Sequence, residues 1–145
     1  MLAESDRSAA VGLVLEELIE LNRMLAGPRV TPFAGRALSR SHLEALFLIA
    51  HRNGVTPGGL AAAMRITAGA VTQLIAKLRE AKLVTTTPSP TDSRSIVYAL
   101  AGSAERELAE FEARAVQHAK PHFASLTTSD LNRLAALLRS VTDRP

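Results

Sequence analysis

Apolar residues between Ser8 and Ala26 recur every three or four positions, which is the spacing of one side of an α-helix. Leu13, Ile19 and Met24 extend the apolar surface beyond that side. A helix with such a wide apolar surface needs more than one partner surface, so the pattern indicates contact with a second chain. The residues that define the main apolar side are Val11, Val14, Leu15, Leu18, Leu21 and Leu25.

Three shorter helical patterns follow a loop, AGPRVTPFAGRA, that contains two prolines and two glycines. Ser39 is placed to cap the first of these helices, and Gly54 can end it with a positive φ. Thr56 followed by Pro57 opens the second, because a hydroxyl accepts from free amides and proline fits the first helical position. Thr67 is placed to cap the third. Two short helices joined by a tight turn predict a helix-turn-helix.

The segment LVTTTPSPTDSRSIVYAL predicts two strands with a short connection. Residues from Ile96 to Leu100 alternate between two faces, as they do in a strand. Pro88 and Pro90 are expected in the connection, where a missing N–H costs no ladder hydrogen bond. A helix-turn-helix followed directly by a β-hairpin is a winged helix, and the hairpin is its wing.

The rest of the chain predicts two more helices. Ser103 is placed to cap the first, and Pro121 must kink or end it. Thr127 and Asp130 resemble a capping box at the start of the last helix. We therefore predict a mainly α fold with a small β-hairpin wing. Its three parts are an N-terminal dimerisation helix in residues 1–36, a winged helix-turn-helix in residues 37–102, and C-terminal dimerisation helices in residues 103–145.

The composition limits the classes of protein that fit. Of 145 residues, 47% are apolar but only 3% are aromatic, so leucine and alanine build the core. No cysteine is present, which excludes disulfides and thiolate metal sites. No segment has the apolar length of a membrane span and no signal peptide is recognisable, so we expect a cytoplasmic protein without membrane contact. Acidic residues predominate before Ala26 and basic residues between Gly27 and Arg94, which indicates a polyanionic partner for the middle of the chain.

The helix after Thr67 has the composition of a recognition helix, because the residues away from its apolar side are small or polar. Gln73 can bond adenine through paired hydrogen bonds. Thr72 can donate to a base or phosphate and can touch thymine with its methyl group, while Lys77 and Arg65 suit phosphates. The expected DNA contacts in this region are Arg65, Thr67, Ala68, Gly69, Ala70, Thr72, Gln73 and Lys77.

The hairpin tip carries a second set of expected contacts. Arg94 is suited to probe the minor groove or its phosphates, because the narrow groove concentrates negative potential. Asp92 repels DNA by itself, and its expected role is to accept from the Arg94 guanidinium or from nearby amides and so fix the tip. Ser93 and Ser95 can bond phosphates.

The stretch LAAAMRITAGAVTQLIAKLREAKLVTTTPSPTDSRSIVYAL resembles the winged-helix core of the MarR family of bacterial transcriptional regulators. Asp92 and Arg94 match the D-x-R wing signature of that family. The segment LTTSDLNRLAALLRSV is similar to the closing helix of the family, so the resemblance covers nearly the whole chain. The other matching residues are Leu60, Ala61, Thr67, Val71, Thr72, Leu74, Leu78, Leu83, Val84 and Leu100.

Four positions depart from the family pattern. Lys82 stands where the family usually has glycine, and Ala101 and Ala104 replace the usual threonine and glycine. These three positions belong to turns and caps, so we expect them to reduce local stability without changing the fold. Gln73 stands where arginine is common, which is expected to alter sequence preference or to weaken binding.

The resemblance implies a homodimer whose two recognition helices contact a pseudo-palindromic operator on double-stranded DNA. It also implies that DNA binding responds to a small lipophilic acid or phenol. The winged-helix order and Arg94 make a repressor the leading hypothesis, and no cofactor is expected. The implied effector cavity lies between the dimer helices and the winged domain. Its candidate lining residues are Phe33, His42, Phe47 and Phe111.

Two other functions remain open at this stage. His118 and His122 have the i, i+4 spacing of helical zinc ligands, which could make a metal-responsive regulator, although Pro121 lies between them. A winged helix can also serve protein contacts only, and the dispersed cations Arg65, Lys77 and Arg94 argue against that use. No arrangement of nucleophile, base and oxyanion donors is recognisable, so an enzyme is not expected.

Overall fold

The computed structural model of the chain describes residues 2–26, 32–52 and 54–142. Its elements follow the expected order, which confirms a mainly α fold with one hairpin. The chain divides into a winged-helix unit, residues 30–112, and a helical unit, residues 1–29 with 113–145. The elements are α1 (Leu2–Leu25), α2 (Arg40–His51), α3 (Pro57–Met64), α4 (Ala68–Glu80), β1 (Val84–Pro88), β2 (Ile96–Leu100), α5 (Gly102–Ala119), a 3-10 turn (Lys120–Phe123) and α6 (Thr128–Thr142).

The core of the winged-helix unit is aliphatic. One apolar side of α4 packs there with residues of α2, α3, the two strands and the start of α5. The burial of these side chains is the main force that holds the three short helices together, since each is too short to be stable alone. The largest fully buried side chains are Leu46, Leu60, Leu78, Leu83 and Val71.

Side-chain caps start the three short helices where the sequence predicts them. The Ser39 hydroxyl accepts from the amide of His42, and the His42 ring accepts from the Ser39 amide, which forms a capping box. The Thr56 hydroxyl accepts from the Gly59 amide at 3.0 Å. The Thr67 hydroxyl accepts from the Ala70 amide at 3.2 Å. The amides in the first turn of a helix have no acceptor within the helix. These bonds supply an acceptor, and so they fix where each helix begins.

The two helices of the helix-turn-helix end in the same backbone motif. After α3, Arg65 takes a left-handed conformation with φ of 55°, and the Ile66 amide donates to the Ala61 carbonyl. After α4, Lys82 takes φ of 57°, and the Leu83 amide donates to the Leu78 carbonyl. This is the Schellman motif, in which the left-handed residue is usually glycine. The expected cost of Lys82 to local stability therefore has a physical cause, because its Cβ is strained there.

The wing is an antiparallel hairpin in which Val84 pairs with Leu100 and Pro88 with Ile96. The expectation that Pro88 lies in the connection is wrong, because it is the last residue of β1. Its missing N–H is tolerated at the end of a strand on the sheet edge.

Both faces of β2 contribute to the core, which the alternation of its residues did not indicate. Val97 and Tyr98 are both buried, whereas Ile96 is 47% exposed. Gly54 lies close to Val97, and a Cβ added to Gly54 would be only 3.3 Å from the Val97 side chain. The Tyr98 amide donates to the Val55 carbonyl at 2.8 Å, so β2 is bonded on both edges. Burial raises the pKa of the Tyr98 hydroxyl.

The start of α5 differs from the expectation. The Glu105 amide donates to the Ala101 carbonyl, so the helix begins at Gly102. Ser103 therefore lies inside the first turn, and the prediction that it caps the helix is wrong. The α5 helix ends at Ala119, and Pro121 lies in the 3-10 turn that follows, as expected.

The helical unit contains α1, the end of α5, the 3-10 turn and α6. The amide and hydroxyl of Thr127 both donate to the Asp130 carboxylate, and the Asp130 amide donates back to the hydroxyl, which confirms the capping box. These bonds hold the pKa of Asp130 below its usual value. Large apolar side chains of this unit remain exposed, namely Val11, Leu13, Val14, Leu15, Leu18, Ile19, Met24, Val116, Leu126, Leu137, Leu138 and Val141.

The described residues contain no single helix with the length and apolar character to cross a membrane. Counted together, α3 and α4 reach that length and composition, but they are bent by 107° relative to each other.

Candidate nucleic-acid interface

The α4 helix separates its apolar side from its exposed side as a recognition helix requires. Val71, Leu74, Ile75 and Leu78 are buried in the winged-helix unit. The expected DNA contacts on α4 are all exposed, namely Ala68, Gly69, Ala70, Thr72, Gln73 and Lys77. Ala76 is a further exposed residue that was not among the expected contacts. Its spacing of seven residues from Gly69 is the sequence signal that places it on the same side of the helix.

Two hydroxyl groups near the start of α4 are already bonded within the chain. Thr67 caps the helix, as described above. The Thr72 hydroxyl donates to the Ala68 carbonyl at 3.0 Å, so its proton is not free for a base or phosphate. By contrast, the Gln73 side chain makes no hydrogen bond within the described part of the chain. Both its donors and its acceptor are therefore available for a base.

The basic residues of this region occupy different positions around α4. Arg65 lies in the turn before the helix and is exposed. Lys77 lies one turn after Gln73. Burial lowers the pKa of His42 in α2, and the charge of Lys77 lowers it further.

The wing tip is held by hydrogen bonds centred on Asp92. Its carboxylate accepts from the Arg94 amide at 3.0 Å, and its carbonyl accepts from the Ser95 amide and hydroxyl at 3.0 and 3.1 Å. The Ser89 amide donates to the Ser95 carbonyl at 2.9 Å, which closes the hairpin. Asp92 was expected to accept from the Arg94 guanidinium or from nearby amides, and in the structure its carboxylate accepts from the Arg94 amide and not from the guanidinium.

The Arg94 guanidinium is left without a protein partner in the part of the chain that the structure describes. Its side chain and that of Ser93 are exposed, whereas Ser95 is half-buried. The tip therefore presents a permanent cation whose backbone is fixed, which suits a narrow groove lined by phosphates.

The structure brings together only two of the four expected effector residues. The rings of Phe47 and Phe111 meet edge to face with centroids 6.4 Å apart. Phe33 is instead a core residue in a left-handed conformation, with the Arg36 guanidinium over its ring. His42 is engaged in the cap of α2.

Near the two phenylalanines lies a polar cluster that the sequence did not indicate. The His51 ring stacks on Phe47 and bonds to the Glu112 carboxylate at 2.7 Å. His51, Glu112, Tyr98 and Glu105 line a cleft of about 300 Å³ within the winged-helix unit. His51 and Glu112 are 61 positions apart along the chain, and only the fold brings them together.

The two candidate metal ligands do come close to each other. The rings of His118 and His122 have centroids 6.3 Å apart, although His118 is in α5 and His122 in the 3-10 turn. Among the described residues, no group of three or more histidines and carboxylates is arranged to hold a metal ion.

Comparison with known proteins identifies relatives of the chain. Residues 38–95 match the family model of the MarR family. An uncharacterised helix-turn-helix transcriptional regulator of Mycobacterium bovis is 31% identical over 107 residues, which are 73% of this chain and 71% of the relative.

Solved structures show the same fold. A MarR family protein from Bacillus stearothermophilus is similar with a TM-score of 0.66, 14% identity, and coverage of 96% of this chain and 94% of its own. BpsR of Bordetella bronchiseptica, whose DNA binding is regulated by 6-hydroxynicotinic acid, is similar with a TM-score of 0.54 and 18% identity. That similarity covers 93% of this chain and 94% of BpsR.

Proposed function

This chain belongs to the MarR family of transcriptional regulators, and we propose that it represses transcription as a homodimer on a pseudo-palindromic operator. In each protomer α4 lies in the major groove, and the wing reaches the adjacent minor groove. Members of this family are DNA-binding regulators and not enzymes. The target is chromosomal DNA, so the proposed place of action is the bacterial cytoplasm.

The observation that carries this proposal is that Asp92 and Arg94 have different roles at the wing tip. Asp92 is the acidic residue of the tip, and its carboxylate bonds the backbone amide of Arg94. The guanidinium is exposed and unbonded in the described chain. A protein that used its wing only for stability would gain nothing from holding a cation in this way. A charge held at a fixed position is what minor-groove binding requires.

The exposed apolar side chains of the helical unit support a homodimer. Ile19 of α1 and Val141 of α6 are each 71% exposed, and ten further large apolar residues of this unit are also exposed. So many exposed large apolar side chains in one unit are typical of a protein interface. A two-fold pair would give each dimer two copies of α4 and two wings, as a pseudo-palindrome demands.

The aromatic residues near the C-terminal end of α2 support control by a small molecule. Phe47, Phe111 and His51 form a cluster of rings beside the Glu112 carboxylate. Regulation of DNA binding by 6-hydroxynicotinic acid in BpsR, a protein of the same fold, makes a small lipophilic or phenolic effector the proposed input. Binding there would act on the position of α2 and, through it, of the DNA-contacting helices.

The test is a fluorescence titration of a duplex from the region upstream of the protein's own gene, at several salt concentrations. The wild-type chain should bind, with an affinity that falls as salt rises. Arg94→Ala should weaken binding and reduce the salt slope by about two, one for each wing of the dimer.

Arg106→Ala is the matched control, because it removes an exposed arginine from α5, outside the helical unit that is proposed to form the dimer and outside the expected DNA contacts. It should leave binding close to that of the wild type. Equal losses in the two variants would show that net charge, and not the wing, drives binding. No binding to any duplex would favour a winged helix used for protein contacts only.

A further inference from the structure

The exposed side of α4 has a simple chemistry. Gly69, Thr72, Gln73 and Ala76 are spaced i, i+3, i+4 and i+7, so they share one side of the helix, and all four are exposed. We refer to these four residues as the reading face. It lies opposite the buried side of α4, and it includes the N-terminal part of the helix that contacts bases in a helix-turn-helix.

Gly69 has no evident role in the fold. A Cβ added there would have only the Thr67 hydroxyl nearby, at 4.0 Å, and its φ is not positive. Alanine would favour the helix more than glycine does. What glycine does provide is a bare backbone at the N-terminal end of the reading face. A bare backbone lets the helix approach the edges of base pairs more closely.

The hydrogen-bonding capacity of the reading face is small. The proton of the Thr72 hydroxyl is donated to the Ala68 carbonyl, so this side chain cannot donate to guanine and presents its methyl group. Gln73 is then the only residue of the reading face with free side-chain donors. A glutamine amide matches the N6 and N7 edge of adenine, and methyl groups such as those of Thr72 and Ala76 suit the methyl of thymine.

The charged neighbours of the reading face do not supply a guanine contact. Lys77 is exposed one turn after Gln73, eight residues or about 12 Å along the helix from Gly69, and its expected contact is a phosphate. Glu80 is on the exposed side but eleven residues after Gly69, which is about 16 Å along the helix, at its C-terminal end. Guanine is usually contacted by arginine or lysine, and the reading face has neither.

We propose that α4 selects a half-site whose central base pairs are A·T, with Gln73 bonded to adenine, the Thr72 and Ala76 methyl groups on thymine, and Gly69 allowing close approach. The proposal rests on the proposed function, since it concerns the sequence of the operator. It assigns discrimination between bases to Gln73 and depth of insertion to Gly69. The common family arginine at position 73 would instead favour guanine.

The experiment is selection from a pool of duplexes with a randomised central block, using the full-length chain. The wild type should enrich a pseudo-palindrome with A·T pairs at the centre of each half-site. Gln73→Ala should reduce the preference for adenine at one symmetric position about tenfold while other positions keep theirs. Gln73→Arg should shift that same position toward guanine.

Gly69→Ala tests the depth of insertion separately. Binding to the selected wild-type duplex should weaken about tenfold, while the midpoint of urea unfolding stays the same or rises. Gly102→Ala is the matched control, because it adds the same methyl to the first turn of α5, where only the end of the Arg106 side chain lies near. Its binding should equal that of the wild type.

The outcomes separate this inference from the proposed function. No enrichment of any sequence would overturn the proposed function itself. Enrichment of a palindrome with G·C pairs under α4, or the same palindrome from the wild type and both Gln73 variants, would overturn the inference alone. Unchanged binding by Gly69→Ala would refute the close approach. A Gly69 variant that did not fold would refute the claim that the fold has no use for this glycine.

Discussion

At the scale of single residues, two cations occupy backbone positions that normally belong to glycine. Arg65 and Lys82 both have left-handed backbones, and each closes one helix of the helix-turn-helix. The strain is on the order of 1–3 kcal/mol at each position, because side-chain Cβ atoms disfavour this region without forbidding it. Arg65 is an expected phosphate contact, so at that position strain and charge occur in the same residue. At both positions the fold retains a cation where glycine would be more stable.

Replacing Lys82 by glycine should stabilise the protein by about 1 kcal/mol. Relief of backbone strain contributes about 1–3 kcal/mol, and the greater entropy of glycine in the unfolded chain offsets about 0.4–1 kcal/mol of it. Urea unfolding measures the change. Lys82→Ala removes the same charge but keeps a Cβ, so it should show little gain. Equal stabilisation by both variants would assign the effect to charge and not to the backbone.

At the scale of elements, the hairpin tip depends on Asp92 for its shape. Its carboxylate and carbonyl together accept three hydrogen bonds from Arg94 and Ser95. An acidic residue beside DNA is electrostatically unfavourable, so its presence needs a compensating structural role. The bond to the Arg94 amide supplies that role, because it fixes where the arginine side chain begins.

Asp92→Ala should therefore weaken DNA binding although it removes a negative charge. The Arg94 amide loses its acceptor, and the tip samples other turns. Asp92→Asn removes the same charge but keeps a side-chain oxygen as acceptor, and it should bind at least as well as the wild type. The measurement is the same duplex titration. Tighter binding by Asp92→Ala would show that only charge matters at the tip.

The N-terminus of α2 should be sensitive to acid. The His42 ring accepts from the Ser39 amide and loses that capacity when protonated. Because burial and Lys77 lower the folded-state pKa of His42, its contribution to stability is complete above about pH 6.5 and is lost as the pH falls through the folded-state pKa.

The free energy of unfolding in urea, measured at about pH 7.5 and about pH 5.5, tests this contribution. His42→Gln keeps a capping acceptor that does not titrate in this range. The wild type should lose more stability than this variant on acidification, while the carboxylates and other histidines contribute equally to both. The same loss in both proteins would exclude His42 as the cause.

Local chemistry explains which of these elements the sequence could predict. Ser39, Thr56 and Thr67 cap helices through bonds to residues three positions away, so their roles are visible in a short window. The bond of the Tyr98 amide to the Val55 carbonyl joins residues more than 40 positions apart, and no window contains both. The pairing of His51 with Glu112 is hidden for the same reason.

The sequence also predicts part of the candidate DNA interface but not all of it. Gln73 and Arg94 are exposed as the pattern of apolar residues requires. The bond of the Thr72 hydroxyl to the Ala68 carbonyl depends on a side-chain rotamer, which a sequence pattern does not specify. A sequence pattern also does not specify whether the Asp92 carboxylate accepts from the Arg94 amide or from its guanidinium.

At the scale of the whole molecule, the two compact units expose different chemistry. The winged-helix unit presents exposed cations and a small polar reading face, while the helical unit presents exposed apolar side chains. Neither set stabilises the isolated chain. Both are explained if two chains associate through the helical units and so present two reading faces to one duplex.

Native mass spectrometry of the chain bound to its selected duplex tests that claim most directly. We predict one complex, with the mass of two chains and one duplex, and a free protein with the mass of two chains at the concentrations used for binding. A complex of one chain per duplex, formed by a protein that is a monomer in the absence of DNA, would contradict the account.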